Sequence, residues 1–410
     1  MPDGVNDRSS HQAFEFLSGL ESKLQASQRQ PLVLSEAVPE QLSVRPSPLT
    51  ASPLTASPLT ASIVSTPAEV LDFTAFVSSL APEPGMLSPR FFLASLLPRF
   101  CRPCVVVVSQ GSKVAGLLYT RERVVAGIPT GIVLGDDTLG AMIVARPEET
   151  ESVMQCAVQA LLKHKTALRF RVASDHLALL QAQTAKANAE IHFFSQEFHA
   201  HLELPRTYDG FLAKFRSHTR HNFCRYRRRS ELAGNEFCPD LSFTEFCVAA
   251  QGLFPKEAHA RHESNFRQCL AMIEAMPSRI LIGLRRSTGE WVSLAGGWYA
   301  GDRAVLNLQL NDRTCVRESV SLVLRSYLIE QLINRGIREV IFWAGTSAPL
   351  SYYITHREEY MTYVDSRSHP WRLVRLACVT LAKLAPATFG KWLKWDAPDV
   401  NGNTEQKHSS

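Results

Sequence analysis

The run FPKEAHARHES brings together four side chains that can take or give a proton near neutral pH: Glu257, His259, His262 and Glu263. The helical pattern breaks just upstream, around residues 252–255, so the run falls on a loop or at a helix start. Glu257 and His259 are candidates for a base that frees an amine or hydroxyl nucleophile; a solvated polar turn would have the same composition. A second concentration is cationic. Residues 214–229 hold seven Lys and Arg and no acid, so this segment carries +7 of a chain whose net charge is +5, and the remainder is slightly acidic. Phe211, Phe215, Phe223 and Tyr226 trace an apolar stripe along it. The stripe can dock on a core while Arg216, Arg220, Arg227 and Arg228 meet a phosphate-bearing substrate, RNA or a membrane surface. Arg220 and Arg227 are candidates for substrate binding.

Two pairs imitate metal sites. His218 and His221, and His259 and His262, are spaced to share a helix face, but neither pair has the glutamate of HExxH, and the first lies among arginines that repel cations. No metal is expected. Cys101-Arg-Pro-Cys104 is a lone CxxC with no second pair and reads as structural thiols.

These groups must be positioned by elements whose order occurs twice. The first half offers helical patterns over residues 68–80 and 89–97. A meander follows over 104–109, 114–120 and 123–128, then a helix over 147–164 and the strand ALRFRVAS. The second half offers a long helix over 208–232 and helical patterns over 241–276. After them come the meander RILIGLRR, WVSLAGGWYA and RAVLNLQL, a helix over 318–334 and the strand REVIFWAG. VAGLLYTRERVV from Val114 and LAGGWYAGDRAV from Leu294 also share letters, which fits a duplicated unit.

A meander that runs into a helix and then a neighbouring strand leaves room for two strands to splay, with a helix N-terminus pointing into the gap. Free strand amides there can receive an extended amide-bearing ligand, and the helix N-terminus can receive phosphate. Coenzyme A carries both features.

The basic helix AKFRSHTRHNFCRYRRRSELAG, the strands LAGGWYAGDRAVLNLQL and the run ESVSLVLRSYLIEQLINRGIREVIFWAGTSAPLSYY resemble the GNAT N-acetyltransferase superfamily. The likeness is to its duplicated CelD-like (cellulose biosynthesis) branch, distantly FemAB-like, and covers about residues 73–364. It implies an α/β (mixed α+β) fold of two tandem GNAT-like units, each a mostly antiparallel sheet with flanking helices. It also implies acyl transfer from acetyl-CoA or another acyl-CoA, with the second unit catalytic and the first a scaffold. Arg317, Ser319 and Ser321 then fall on the pyrophosphate turn, with serines where glycines are usual. Asn307 and Gln309 lie on the strand that borders the acyl donor, where a backbone amide over residues 307–310 would serve the oxyanion. Tyr352 and Tyr353 stand where a tyrosine acid meets the leaving sulfur, without the lysine that usually follows, or they pack on the core. Arg261 matches an arginine of the branch and would orient an anionic acceptor. The acceptor class implied is an anionic sugar, lipid-linked or cell-envelope precursor.

With 410 residues, 45% hydrophobic and 20% charged, the chain holds enough apolar material for two cores. Nine cysteines, an odd number, argue against a secreted disulfide framework. The expected divisions are a disordered tail over 1–66 with three SPLTA repeats, GNAT-like units over 67–205 and 206–366, and a C-terminal segment over 367–410. That last segment includes WRLVRLACVTLAKLAPATFGKWLKW, an amphipathic stretch that could cover the core or rest on a membrane. Neither a signal peptide nor a membrane span is expected, which points to the cytoplasm or the inner membrane face. Two other functions fit the same residues: an aminoacyl-tRNA-dependent transferase whose basic helix meets tRNA, and a scaffold that kept the fold and lost the chemistry.

Overall fold

The computed structural model describes residues 58–365, apart from 82–84, 98–99, 126, 138, 188, 196–198, 256–259, 344 and 347–348. The expected tail up to residue 57 and the amphipathic segment over 371–395 lie outside the described residues.

Order begins earlier than the expected residue 67. Strand β1 (Leu59–Val64) pairs antiparallel with β3 (Val105–Gln110). The last proline of the repeats is Pro58 and the next is Pro67, so every residue of β1 can donate to a ladder. Alternate Leu59, Ala61 and Ile63 pack on the first core. Helices α1 (Pro67–Leu71) and α2 (Thr74–Leu80) replace the single expected helix, and α3 is Pro89–Ala94. Thr66 and Glu69 form a reciprocal capping box at α1. Strand β2 is Cys101–Pro103, β4 Lys113–Leu118, β5 Arg121–Val125, β6 Ile128–Asp136 and β7 Ile143–Ala145. Helix α4 (Thr150–His164) then leads to β8 (Ala167–Ala173), α5 (Ser174–Lys186), β9 (Glu190–Ser195) and β10 (Ala200–Glu203).

The second half opens with α6 (Tyr208–Ala213) and α7 (Ser217–Leu232), where one long helix was expected. The break turns Phe215 inward against Phe211 and Phe223, each with ring centroids 5.0 Å away. Strand β11 (Glu236–Cys238), α8 (Phe243–Leu253) and α9 (Ala260–Ala275) follow. Then come the meander β12 (Arg279–Arg285), β13 (Trp291–Ala300) and β14 (Arg303–Asn311), helix α10 (Val320–Asn334), β15 (Glu339–Phe342) and β16 (Glu359–Asp365).

The second half contains the expected unit of meander, helix and parallel strand, whereas the strands of the expected first-half meander divide between two sheets, β3 and β4 in one and β5 in the other. What recurs in the first half is the hairpin β5-β6, a helix and a parallel strand. In the first, β6 pairs parallel with β8 across α4; in the second, β14 pairs parallel with β15 across α10. The chain is mixed α/β, with largely antiparallel sheets and helices against them. The shared letters do not lie in structural register, however. The turn before β6 centres on Gly127 and the matching turn before β14 on Gly301, both at positive φ, whereas the letters set Gly301 beside Arg121. The duplication is real in the order of elements, and those letters are coincidental.

Each half also completes the other's sheet. Strand β10 from the first half pairs antiparallel with β15, at the edge of the order β10-β15-β14-β13-β12-β11. Strand β16 from the second half inserts between β8 and β9 in the order β2-β5-β6-β8-β16-β9. A third sheet has the order β1-β3-β4-β7. Sequence reading missed β1, β2, β6, β7, α5, β9, β10, β11 and β16.

Candidate functional site

The second half has a splay between its parallel strands and the first half does not. Strands β14 and β15 run in register from Arg303 opposite Glu339 to Leu306 opposite Phe342. The Trp343 amide then donates to the Leu306 carbonyl at 2.9 Å. Residues 307–311 of β14 continue past the end of β15 and keep only the β13 side. In the first half, β6 stays paired with β8 to its last residue, Asp136 opposite Arg171, and Asp137 donates to the Arg171 carbonyl at 2.8 Å. Closed strands leave no edge for a ligand.

Asn307 sits where the splay begins, and it is also a bulge. Gly296 faces Leu308 and Gly297 faces Leu306, so Asn307 is the extra residue on β14 with no partner in β13. Gly297 is needed there because a Cβ would strike the Val305 carbonyl. A bulge frees its residue from the ladder and re-aims its side chain. The Asn307 amide nitrogen donates to the Cys269 carbonyl at 3.4 Å, while its Oδ1 is buried and has no partner among the described residues.

Beyond the bulge, Gln309 bridges to α10. Its Nε2 donates to Ser321 Oγ at 2.9 Å, and its Oε1 accepts from Arg325 Nε at 2.7 Å. Arg325 Nη1 donates in turn to Thr346 Oγ1 at 2.5 Å, beyond β15. The guanidinium lies 5.3 Å from the centre of the Phe342 ring. This chain of contacts spans the diverging strands. Burial pushes the Arg325 pKa down to about 10, and its side-chain partners here are neutral groups. The floor of the splay therefore holds an uncompensated positive charge, suited to an anion or a developing oxyanion.

Helix α10 starts at this gap. Its N-cap, Ser319, takes φ +52°, a left-handed conformation where the superfamily resemblance implies glycine. The serine thus preserves the turn. The cap accepts main-chain bonds from Leu322 and Val323 at 2.9 and 3.0 Å, and no side chain caps the helix. Bonds from Arg225 and then Ser319 push the pKa of Tyr226 down, which places α7 beside this helix start.

Arg227 departs from its expected role. Its guanidinium pairs with Glu330 on α10 at 2.7 Å and lies 4.0 Å from the centre of the Tyr327 ring. It fastens α7 to α10, so it holds the fold and faces no partner. Arg216, Arg220, Arg225, Arg228 and Arg229 are exposed and carry the cationic face.

The other expected residues are spread out. Glu257 and His259 lie outside the described residues; Arg261 is the second residue of α9, and its side chain and that of Arg317 also lie outside the described set. Tyr352 is 77% exposed, and Tyr353 packs edge-on against Phe215 with centroids 4.4 Å apart. The structure joins Gln309 to Ser321 at the start of α10, next to the Ser319 cap, while Asn307, two residues earlier on β14, bonds Cys269 of α9 instead. Arg325 and Thr346 were missed, since an arginine at a mid-helix position reads as surface. His218 and His221 are exposed, and no group of three metal-ligating side chains occurs among the described residues. No described helix is long and apolar enough to cross a membrane.

A cavity of about 210 Å³ opens beside the bulge, between the two halves. Asn307, Cys269 and Trp343 line it from the second half, and Tyr119, Arg121 and Asp136 from the first. Arg171 pairs with Asp136 at 3.4 Å on the same wall.

Neither a scan of protein-family models nor a search of curated proteins returns a match. Among solved structures, the chain is similar to a tandem GNAT protein from the clavulanic acid biosynthesis pathway (14% identity, 76% of this chain and 99% of that one, TM-score 0.42). It is also similar to L-PGS from Bacillus licheniformis (14% identity, 74% and 94%, TM-score 0.47) and to FemX (11% identity, 73% and 96%, TM-score 0.47). With every one of these TM-scores below 0.5, the chemistry of the site rests on this chain's own residues.

Proposed function

We propose that the second half is an acyl-CoA-dependent acyltransferase and that the first half is a non-catalytic partner forming one wall of its acceptor site. The observation that carries this reading is the one-sided splay: β14 runs on beyond β15 from a bulge at Asn307, while β6 and β8 stay closed.

The residues present suit a coenzyme A thioester. Residues 307–311 offer an open strand edge for pantetheine amides, and the uncapped start of α10 with its Ser319 turn suits the pyrophosphate. Acyl-CoA would supply an activated carbonyl for attack by an amine or hydroxyl. The chain's part is to hold that carbonyl at the bulge, to stabilise negative charge with strand amides and Arg325, and to admit the acceptor through the cavity. Tyr352, Glu257 and His259 remain candidates for moving protons. Arg121 and Arg171 suit an anionic acceptor, such as the sugar or cell-envelope precursor that the sequence implies.

Isothermal titration of the full chain with acetyl-CoA tests this. Saturable binding that is lost in Arg325→Met is expected; no heat at millimolar ligand would remove the reading. The exposed arginines of α7 favour a second reading, transfer from an aminoacyl-tRNA, for which RNA binding must weaken steeply with salt.

A further inference from the structure

The cavity between the halves holds polar atoms whose needs nothing in the described chain meets. Tyr119 is 3% exposed and Asn307 8%, and the Tyr119 hydroxyl and Asn307 Oδ1 both lack a hydrogen-bond partner. Arg121 Nε is likewise buried without one. A buried polar atom left without a partner is costly, so several around one cavity point to a ligand that satisfies them. All three residues line the cavity, Tyr119 and Arg121 carrying unmet donors on the first half's wall and Asn307 an unmet amide-oxygen acceptor on the second's.

Size and surroundings narrow the class. At about 210 Å³ the space is smaller than the roughly 300–1,000 Å³ of drug-sized sites. Phe91, Leu134, Leu139, Met272 and Trp343 supply apolar wall. A sugar presents a hydroxyl on nearly every carbon and would leave most of them unpaired against such a wall. Arg171 is engaged by Asp136, so Arg121 is the cation that favours a carboxylate, while Asn307 Oδ1 can accept only from a donor such as an amine.

We propose that this cavity binds a free α-amino acid with an apolar or aromatic side chain, its carboxylate at Arg121 and Tyr119 and its amino group at Asn307. This deepens the acyltransferase reading and rests on it, because Asn307 is both cavity wall and the first residue of the splay. The amine is thereby set beside the strand edge assigned to the acyl donor. It also narrows the acceptor from an envelope sugar to a carboxylate-bearing amine.

The test is calorimetric titration of the full-length chain, with no acyl donor present, using L-phenylalanine and L-leucine as probes. Comparators are L-phenylalaninamide, which lacks the carboxylate, 3-phenylpropionate, which lacks the amine, and glucosamine. Saturable binding of the amino acids is expected, with at least about tenfold weaker binding of every comparator, as befits the loss of one charge-assisted contact. Arg121→Gln should weaken L-phenylalanine at least about tenfold and leave L-phenylalaninamide unchanged, and Arg121→Lys should recover part of the loss. Equal binding of the amide and the acid, preference for glucosamine, or no saturable heat with either amino acid would each overturn the assignment. Because no donor is present, these results are independent of the acetyl-CoA titration, so either idea can fail alone.

Discussion

Arg325 Nε donates to Gln309 Oε1 at 2.7 Å, and through this bond a helix holds the free part of β14 away from the end of β15. Arg325 is half-buried and its side-chain partners among the described residues are neutral, and this desolvation pushes its pKa down to about 10.

Arg325→Met keeps similar bulk but leaves Gln309 Oε1 and Thr346 Oγ1 without their donor, at roughly 1–3 kcal/mol each, offset in part by relief of the buried charge. We expect a net loss under about 2 kcal/mol in urea unfolding and at least tenfold weaker acetyl-CoA binding. Adding Gln309→Leu should restore stability but not binding. Donor binding unchanged in the single variant would show that Arg325 is only a brace.

The bulge gives a second prediction. An added Cβ at Gly297 meets the Val305 carbonyl and the Leu306 backbone, whereas one at Gly301 meets nothing, although Gly301 has φ +64°. Gly301→Ala should therefore cost only the left-handed penalty of roughly 1–2 kcal/mol. Gly297→Ala should cost more than that and also weaken acetyl-CoA binding, because closing the bulge at Asn307 alters the strand edge. Chemical denaturation and calorimetry of both variants separate the two effects.

Much of this was legible in the sequence, and its gaps have physical causes. Hydrophobic period and turn residues found the second-half meander, α4 and α10, since those elements answer to local rules. The strand exchange could not be read that way: β10 and β16 are defined by pairing with strands far away in the chain. Strand β1 lies within the expected tail because no proline interrupts residues 59–66 and its alternate residues find a core. In the site, family spacing pointed to the strand and turn positions Asn307, Gln309, Ser319 and Ser321, which the structure sets along β14 and at the start of α10. The bulge depends on how many residues lie opposite one another across two strands, which one strand's letters do not specify. Arg227 misled because a cation on a basic helix reads as a surface charge until its partners Glu330 and Tyr327 are known.

Acidification should loosen the seam formed by β10. His199 and His201 are 3% and 1% exposed, and burial pushes both pKa values down from the ordinary range. His199 Nδ1 donates to the Trp343 carbonyl at 3.2 Å, and His201 contacts Glu339 at 3.0 Å. A histidine kept neutral in the fold takes up its proton more readily once unfolded. Stability is thus complete above the unfolded value of about 6.5 and falls as pH drops below it, by up to about 1.4 kcal/mol per pH unit for each histidine. Urea unfolding between about pH 7 and 5 should show this slope, and His199→Asn with His201→Asn should flatten it. A flat wild-type profile would contradict the assignment of neutral histidines.

The basic helix makes two kinds of arginine separable. Arg227 pairs with Glu330 at 2.7 Å against the Tyr327 ring, so Arg227→Ala should cost roughly 1–3 kcal/mol of stability through the lost ion pair and stacking. Arg220 and Arg228 are exposed, and reversing them to glutamate should change stability by less than about 0.5 kcal/mol. The same reversals should act on polyanion binding instead. With a single-stranded RNA oligomer as probe, each exposed arginine that meets a phosphate contributes roughly 0.7 to the slope of log K against log salt. Arg220→Glu with Arg228→Glu should lower that slope by more than one, while Arg227→Ala leaves it near the wild-type value. The opposite pattern, a slope carried by Arg227, would mean that its contacts with α10 open to release it in solution.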